Sequence, residues 1–298
     1  MMDNDSRQKY SAALNSVFAA VGLTGFKIVV GLLTGSLGIL AEAAHSGLDL
    51  AAAAMTCMAV RISGRPADRD HLYGHGRVEN LSALLETLLL LVTCVWIIWS
   101  AVHRIMAGKI GIKVNEWSFL VMLVSIAVDV SRSRMLYRAA KKFRSPALEA
   151  DALHFSTDIW SSAVVILGLV CVKFDEWRPG WDFLHYADAT AAIFVALIVV
   201  WVSMQLGKQS LDALLDKAPI GLEIEIKRLA ESLPLVVDCH AVRIRVSGPA
   251  LFIDLHVLMD GGQTLRQAHQ LTEDIERTIQ DKVAHADVTV HPEPAPEA

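Results

Sequence analysis

The chain has 298 residues, 53% of them hydrophobic, and a mean hydropathy of +0.42, too apolar for an ordinary soluble protein. The net charge of −5 sits wholly at the C-terminal end: 8 basic and 13 acidic residues follow from Lys217 onward, whereas the residues before it balance at 19 and 19. An acidic C-terminal region excludes nucleic acid as a partner. Four cysteines with no CxxC pair indicate neither a disulfide framework nor a thiolate zinc site.

Taken in order, residues 1–10 form a polar N-terminal tail, with no cleavable signal peptide visible ahead of the first apolar run. Six apolar runs follow: about 11–33, 37–62, 81–105, 117–135, 148–172 and 186–206. Each is near the roughly 20 residues a helix needs to span hydrocarbon. Basic residues orient them. With both termini inside, the cytoplasmic side holds 12: Arg7 and Lys9, then Arg61, Arg65, Arg69 and Arg77, then Arg132, Arg134, Arg138, Lys141, Lys142 and Arg144. The outer loops hold 5: Arg104, Lys109, Lys113, Lys173 and Arg178. The predicted bundle occupies 11–208, a hinge 209–221, and the C-terminal domain is cytoplasmic.

Two of these runs carry the same motif, His45-Ser46-Gly47-Leu48-Asp49 and His154-Phe155-Ser156-Thr157-Asp158. Residues four apart share a helix face, so each motif presents an imidazole and a carboxylate together. Helix 2 runs inward and helix 5 outward, so antiparallel packing levels all four groups near the membrane centre. Ionisable groups at that depth are costly and usually functional, though two separate polar pairs acting as packing glue is the plainer reading. Four such donors make an N2O2 tetrahedron suited to a zinc-like divalent ion.

The loop from Arg65 to Arg77 contains Asp68, His71 and His75, whose steps of three and four let a tight turn converge them on one ion. A solvated loop is the plainer reading here. Gly74 and Gly76 imply a tight backbone before helix 3. Lone charges also fall within the spans. Lys27 and Glu42 lie at similar depth, as a packing ion pair or with Lys27 snorkelling to the interface. Asp129 is placed facing the basic cluster that follows it, and Asp188 at the outer start of helix 6 is a candidate for lining an access route.

Beyond Pro219 and Gly221 the pattern becomes that of a small soluble domain, 222–292. A helix over 222–233, strands over 241–246 and 251–259 joined by Ser247-Gly248-Pro249-Ala250, a helix over 264–283 and a strand over 287–291 predict an α+β order of αββαβ. Such an order suits helices on one face of a three-stranded sheet. Residues 293–298, with Pro294 and Pro296, are predicted to be disordered. Five of the 11 histidines lie in this domain: His240, His256, His269, His285 and His291. Most read singly as surface residues, but the strand-end group can gather at one edge of the sheet.

These residues resemble the cation diffusion facilitators, the zinc-transporter family, and especially bacterial members with a short cytoplasmic domain. The resemblance covers nearly the whole chain. It is carried by Thr34-Gly35-Ser36, His45 and Asp49, Pro66-Ala67-Asp68, Gly74-His75-Gly76-Arg77-Val78-Glu79, Ala150-Asp151-Ala152-Leu153-His154 with Asp158, and Phe252-Ile253-Asp254-Leu255-His256. It implies a homodimeric metal/proton antiporter of the bacterial inner membrane, with a membrane all-α six-helix bundle and a ferredoxin-like tail domain. The implied transport site is His45, Asp49, His154 and Asp158. A weaker loop site is Asp68, His71 and His75, and a binuclear tail site draws on His240, His256, His269 and His291. Glu293 stands where some relatives have Asp. Arg77 and Asp216 are implied to form an interlock at the dimer. Relatives often carry Asp in place of His45, so their metal preference does not transfer directly.

Zinc requires neutral imidazole and ionised carboxylate, so protons and metal compete for the same donors. In a site open alternately to each side, with helices 2 and 5 rocking together, that competition couples metal efflux to proton influx. Zn2+ is the expected cargo and regulatory ion, with Fe2+, Co2+, Ni2+ and Cd2+ as alternatives. An intramembrane metalloprotease is excluded by the lack of HExxH and by a ligand set that leaves no open position, so no enzymatic activity is expected. A metal channel or a metal-sensing membrane protein remains the rival reading.

Overall fold

The computed structural model describes residues 4–107, 116–177 and 187–296. Lys109, Lys113 and Arg178 of the expected outer loops lie outside these residues, as do the side chains of Arg104, Lys173 and Asp188.

Six long helices come first among the described residues: α1 (Asn4–Thr34), α2 (Leu37–Ser63), α3 (Arg77–Ala107), α4 (Glu116–Phe143), α5 (Pro146–Trp177) and α6 (Ala187–Leu214). Among the described residues, stretches of α1, α2, α3 and α6 are long and apolar enough to cross a membrane. α1 packs along α2, α3 along α6 and α4 along α5, and α5 also touches α2, α3 and α6. The Thr34-Gly35-Ser36 motif has a local cause. Gly35 adopts a left-handed φ of 63° that ends α1, and Ser36 caps α2 by accepting from the Ile39 amide at 3.4 Å.

The helices extend beyond the apolar runs: α3 starts at Arg77, α4 continues to Phe143 and α5 to Trp177, and α1 and α6 overrun into stretches expected to be a tail and a hinge. α1 begins at Asn4, within the stretch expected as a polar tail, because Lys9 is buried against Glu79 and the backbone ladder continues through it. α6 continues to Leu214, through half of the expected hinge, since nothing before Asp216 (φ 59°) and Pro219 interrupts its hydrogen bonds. Polar residues end a hydrophobic run without ending a helix.

The C-terminal domain has the order α7 (Leu222–Glu231), β1 (Asp238–Ser247), β2 (Ala250–Met259), α8 (Leu265–Lys282) and β3 (Ala286–Pro294). β2 is central, antiparallel to β1 and parallel to β3, with α8 as the crossover. Ile253, Leu255 and Val257 of β2 meet Leu271, Ile275 and Ile279 of α8 and Ile226 of α7, forming a core wholly within the domain. Thr264 and Gln267 close a reciprocal capping box at the start of α8. The tail expected to be disordered from residue 293 is strand through Pro294. The Ala295 amide donates to the Met259 carbonyl at 2.7 Å, so Pro292 and Pro294, of opposite parity, face the open edge where no donor is needed.

The domain is seated on the bundle by a close backbone contact. A Cβ on Gly76 would lie 2.3 Å from the Ser247 carbonyl oxygen, and one on Gly248 would lie 2.5 Å from that of Gly76. The Gly248 amide donates to the Asn80 side chain at 2.7 Å, and the Arg245 guanidinium lies 3.7 Å above the Tyr73 ring. Arg77 and Asp216 pair within one chain, tying the start of α3 to the end of α6. The expected pairing of Arg77 with Asp216 is thus present within one chain, where α3 and α6 run side by side.

Candidate metal centres

α2 and α5 bring the two HxxxD motifs together. His154 Nε2 lies 3.2 Å from Asp49 Oδ1 and 3.7 Å from Asp158 Oδ2, and His45 Nε2 lies 3.9 Å from Asp49 Oδ1 and 4.0 Å from Asp158 Oδ1. Each histidine therefore faces the carboxylate of its own helix and that of the other. A tetrahedral shell with bonds of about 2.0 Å separates its donors by roughly 3.3 Å; ligand atoms of His45, Asp49 and Asp158 lie within 4.8 Å of one another, and His154 stands beside them against both carboxylates. Asp49 and His154 are buried, and the His45 side chain is 42% exposed, leaving that flank as the access side.

Polar groups surround this centre. Lys27 is buried, donates to Ser46 Oγ at 2.8 Å and lies 3.3 Å from the exposed Glu42 carboxylate, so it packs as an ion pair at the edge of the bundle. Asp129 faces Arg132, the first residue of the basic cluster, at 3.6 Å. Arg132 donates to Ser16 Oγ, which in turn donates to Asp151 at 3.4 Å, and its guanidinium lies 3.5 Å above the Phe155 ring. Glu86 is fully buried and accepts from Thr56. Sequence reading missed Glu86, Asp151 and the Lys9–Glu79 pair as interior groups. The available signal was a carboxylate within an uninterrupted apolar run for Glu86, and the position three residues before His154 for Asp151.

The loop residues also converge. His71 Nδ1 is 3.2 Å from Asp68 Oδ1, His75 Nε2 is 3.3 Å from Asp68 Oδ2, and the two rings lie 4.4 Å apart. The His71 amide donates to Asp68 Oδ1 at 2.7 Å, helped by that of Asp70 at 3.0 Å. These bonds hold the Asp68 carboxyl below its ordinary range and aim its other oxygen at His75.

In the tail domain the sheet register does the work. His240 pairs with His256 and His256 with His291, so three imidazoles stand in a row across β1, β2 and β3. Glu293, two residues beyond His291 on the same face, closes the group. It lies 2.7 Å from His256 Nδ1, 3.3 Å from His240 Nε2 and 3.7 Å from His291 Nε2. The hydrogen bond with His256 holds its carboxyl below the usual range. His240 is steadied from behind by Asp238 at 3.3 Å, itself fixed by Lys227 at 3.1 Å. His269 does not join this group: it stands exposed on α8, 3.4 Å from Glu273, because α8 packs on the sheet through its opposite, apolar face. His285 sits at a left-handed φ of 61° in the turn before β3.

Residues 13–215 match the family model of the cation efflux transmembrane domain, and residues 222–295 that of the cation efflux protein cytoplasmic domain. The chain belongs to the cation diffusion facilitator family. The cation-efflux pump FieF of Yersinia enterocolitica is 30% identical over 291 residues, covering 95% of this chain and 92% of that protein. An uncharacterized transporter of Synechocystis sp. is 30% identical over 284 residues, covering 95% and 89%. A solved structure of a MamM CTD covers 25% of this chain and 94% of its own, at 25% identity and a TM-score of 0.24. The chain is accordingly a cation efflux transporter of the membrane, from a family of transporters and not of enzymes.

Proposed function

We propose that this cation diffusion facilitator exports Zn2+ in exchange for protons, as a homodimer in the bacterial inner membrane with both termini cytoplasmic. Six helices cross the membrane: α4 and α5 pack with the four whose described stretches are long and apolar enough to span it, and α5 is in contact with three of them. The ferredoxin-like tail domain then stands in the cytoplasm, in keeping with the excess of basic residues on that side. The observation that carries the reading is the approach of His45, Asp49, His154 and Asp158 from two helices, with imidazole-to-carboxylate separations of 3.2–4.0 Å. Two imidazoles and two carboxylates suit zinc in a closed shell, and they are also the groups that protons contest. Alternating exposure of this shell then drives metal one way and protons the other. Proteoliposomes with an acidic lumen test this: as protons leave, the transporter accumulates zinc against its gradient, whereas a channel only dissipates one.

His45 sets the choice of metal in this reading. Imidazole binds through one nitrogen in an orientation fixed by packing, whereas carboxylate swings between one and two oxygens and accommodates a larger ion. Wild type is expected to carry zinc well and cadmium poorly, and His45→Asp to admit cadmium while retaining zinc. Side-by-side flux of both metals decides it; an unchanged cadmium-to-zinc ratio makes His45 a ligand but not the filter.

The tail group of His240, His256, His291 and Glu293 serves as a regulatory zinc site. A cation there offsets repulsion between the acidic domains of two copies. Because its core is self-contained, the fragment from Pro219 onward is expected to melt at higher temperature with zinc. The increment should shrink as pH falls from about 8 to about 5.5, where protons compete for imidazole. A melting temperature indifferent to saturating zinc at pH 8 overturns this assignment.

A further inference from the structure

The ends of α4 and α6, the start of α5, the linker after α6 and the turns of the tail domain border a cavity of about 1070 Å3. Its charged lining is unevenly satisfied. Asp212 accepts from Lys217 at 2.6 Å, while Glu149 and Glu225 lie in the first turns of α5 and α7, where a helix N-terminus favours them. Lys141, Arg144, Lys208 and Lys282 also line the cavity, and among the described residues none has a carboxylate within ion-pair distance; Lys141 lies over the Tyr137 ring at 4.8 Å. Arg144 is held at a left-handed φ of 48° between α4 and α5, a conformation disfavoured for a side chain with a Cβ. Five cations line the cavity against three carboxylates (Glu149, Asp212 and Glu225), so the lining is net positive and an anion bound there offsets the excess.

The same cavity has an apolar rim. Ile220, in its lining, is 99% exposed, and Leu215, earlier in the same linker, is 71% exposed. Cations beside unburied aliphatic side chains, at the level where the helices leave the apolar layer, match an amphiphile with an anionic head. We infer that this cavity binds the phosphate headgroup of an anionic phospholipid of the cytoplasmic leaflet, with Arg144, Lys208 and Lys282 on the phosphate and Ile220 against the acyl chains. The lipid then bridges the bundle and the tail domain, next to the Arg77–Asp216 tie. The assignment of leaflet rests on the cytoplasmic placement of this end proposed above.

The test uses the full-length protein in detergent, with native mass spectrometry reading its binding of phosphatidylglycerol. Wild type is expected to bind it, and Arg144→Asn/Lys208→Gln/Lys282→Gln to lose on the order of tenfold or more in affinity. Asparagine at 144 tolerates the left-handed backbone, and Lys208→Gln alone, at an exposed position, serves if the triple variant does not fold. Arg134→Gln/Arg138→Gln, which removes two exposed cations of α4 outside the cavity, should bind like wild type. Equal binding by the triple variant and wild type overturns the inference, as does equal binding of phosphatidylcholine. Displacement of the lipid by equimolar glycerol 3-phosphate overturns it in favour of a soluble phosphate. Binding in detergent is independent of sidedness, which labelling of a cysteine placed at position 69 in intact cells reads separately.

Discussion

Asp158→Asn and Asp49→Asn are each expected to lower zinc flux by about a hundredfold or more, while leaving the protein folded. Each substitution keeps the side-chain volume and removes one charged donor, so helix packing survives and the ion loses a quarter of its shell. Even partners behind a ligand are worth 10–100-fold in metal affinity, which makes that a lower bound for a ligand itself. The two carboxylates answer to the same histidine: His154 Nε2 lies 3.2 Å from Asp49 and 3.7 Å from Asp158. The two single variants should therefore be similarly impaired, and the double variant little worse than either. Proton-driven zinc uptake into proteoliposomes measures this. A variant that keeps more than about a tenth of wild-type flux is incompatible with one shared site.

Lys9→Met is expected to destabilise the bundle by about 3–5 kcal/mol, and Lys9→Met/Glu79→Gln to restore most of the loss. Glu79 has no exposed surface and Lys9 almost none. Removing the ammonium leaves a carboxylate in the interior with only the hydroxyls of Ser63 and Ser145 donating to it. Removing both charges leaves a neutral amide that those hydroxyls and the start of α3 still satisfy. The pair matters because it joins α1, the end of α2, the start of α3 and the α4–α5 turn at one point. Thermal unfolding of the detergent-solubilised protein reads the effect. A single variant as stable as wild type shows that the pair is solvated and carries no such weight.

Much of the protein was legible without coordinates because it depends on short separations along the chain. Four-residue spacing put His45 with Asp49 and His154 with Asp158 on common helix faces. Alternating and 3.6-residue periods marked the αββαβ order of the tail domain, and the three- and four-residue steps of Asp68, His71 and His75 marked the loop group. Each is enforced by backbone geometry within a turn or two. The groupings that tertiary structure alone decided join residues far apart. Lys9 meets Glu79 across 70 positions, and Gly248 meets Asn80 across 168. The row of His240, His256 and His291 depends on strand register, where a slip of one residue turns a side chain to the other face. Glu293, a candidate metal ligand by resemblance, also fell in the stretch expected to be disordered, because proline frequency says nothing of a free sheet edge on which alternate prolines are tolerated. His269 shared the composition of the site but stands on the exposed face of α8. Local spacing thus determined which donors share a helix face, while burial and strand register, which depend on distant segments, decided which donors meet.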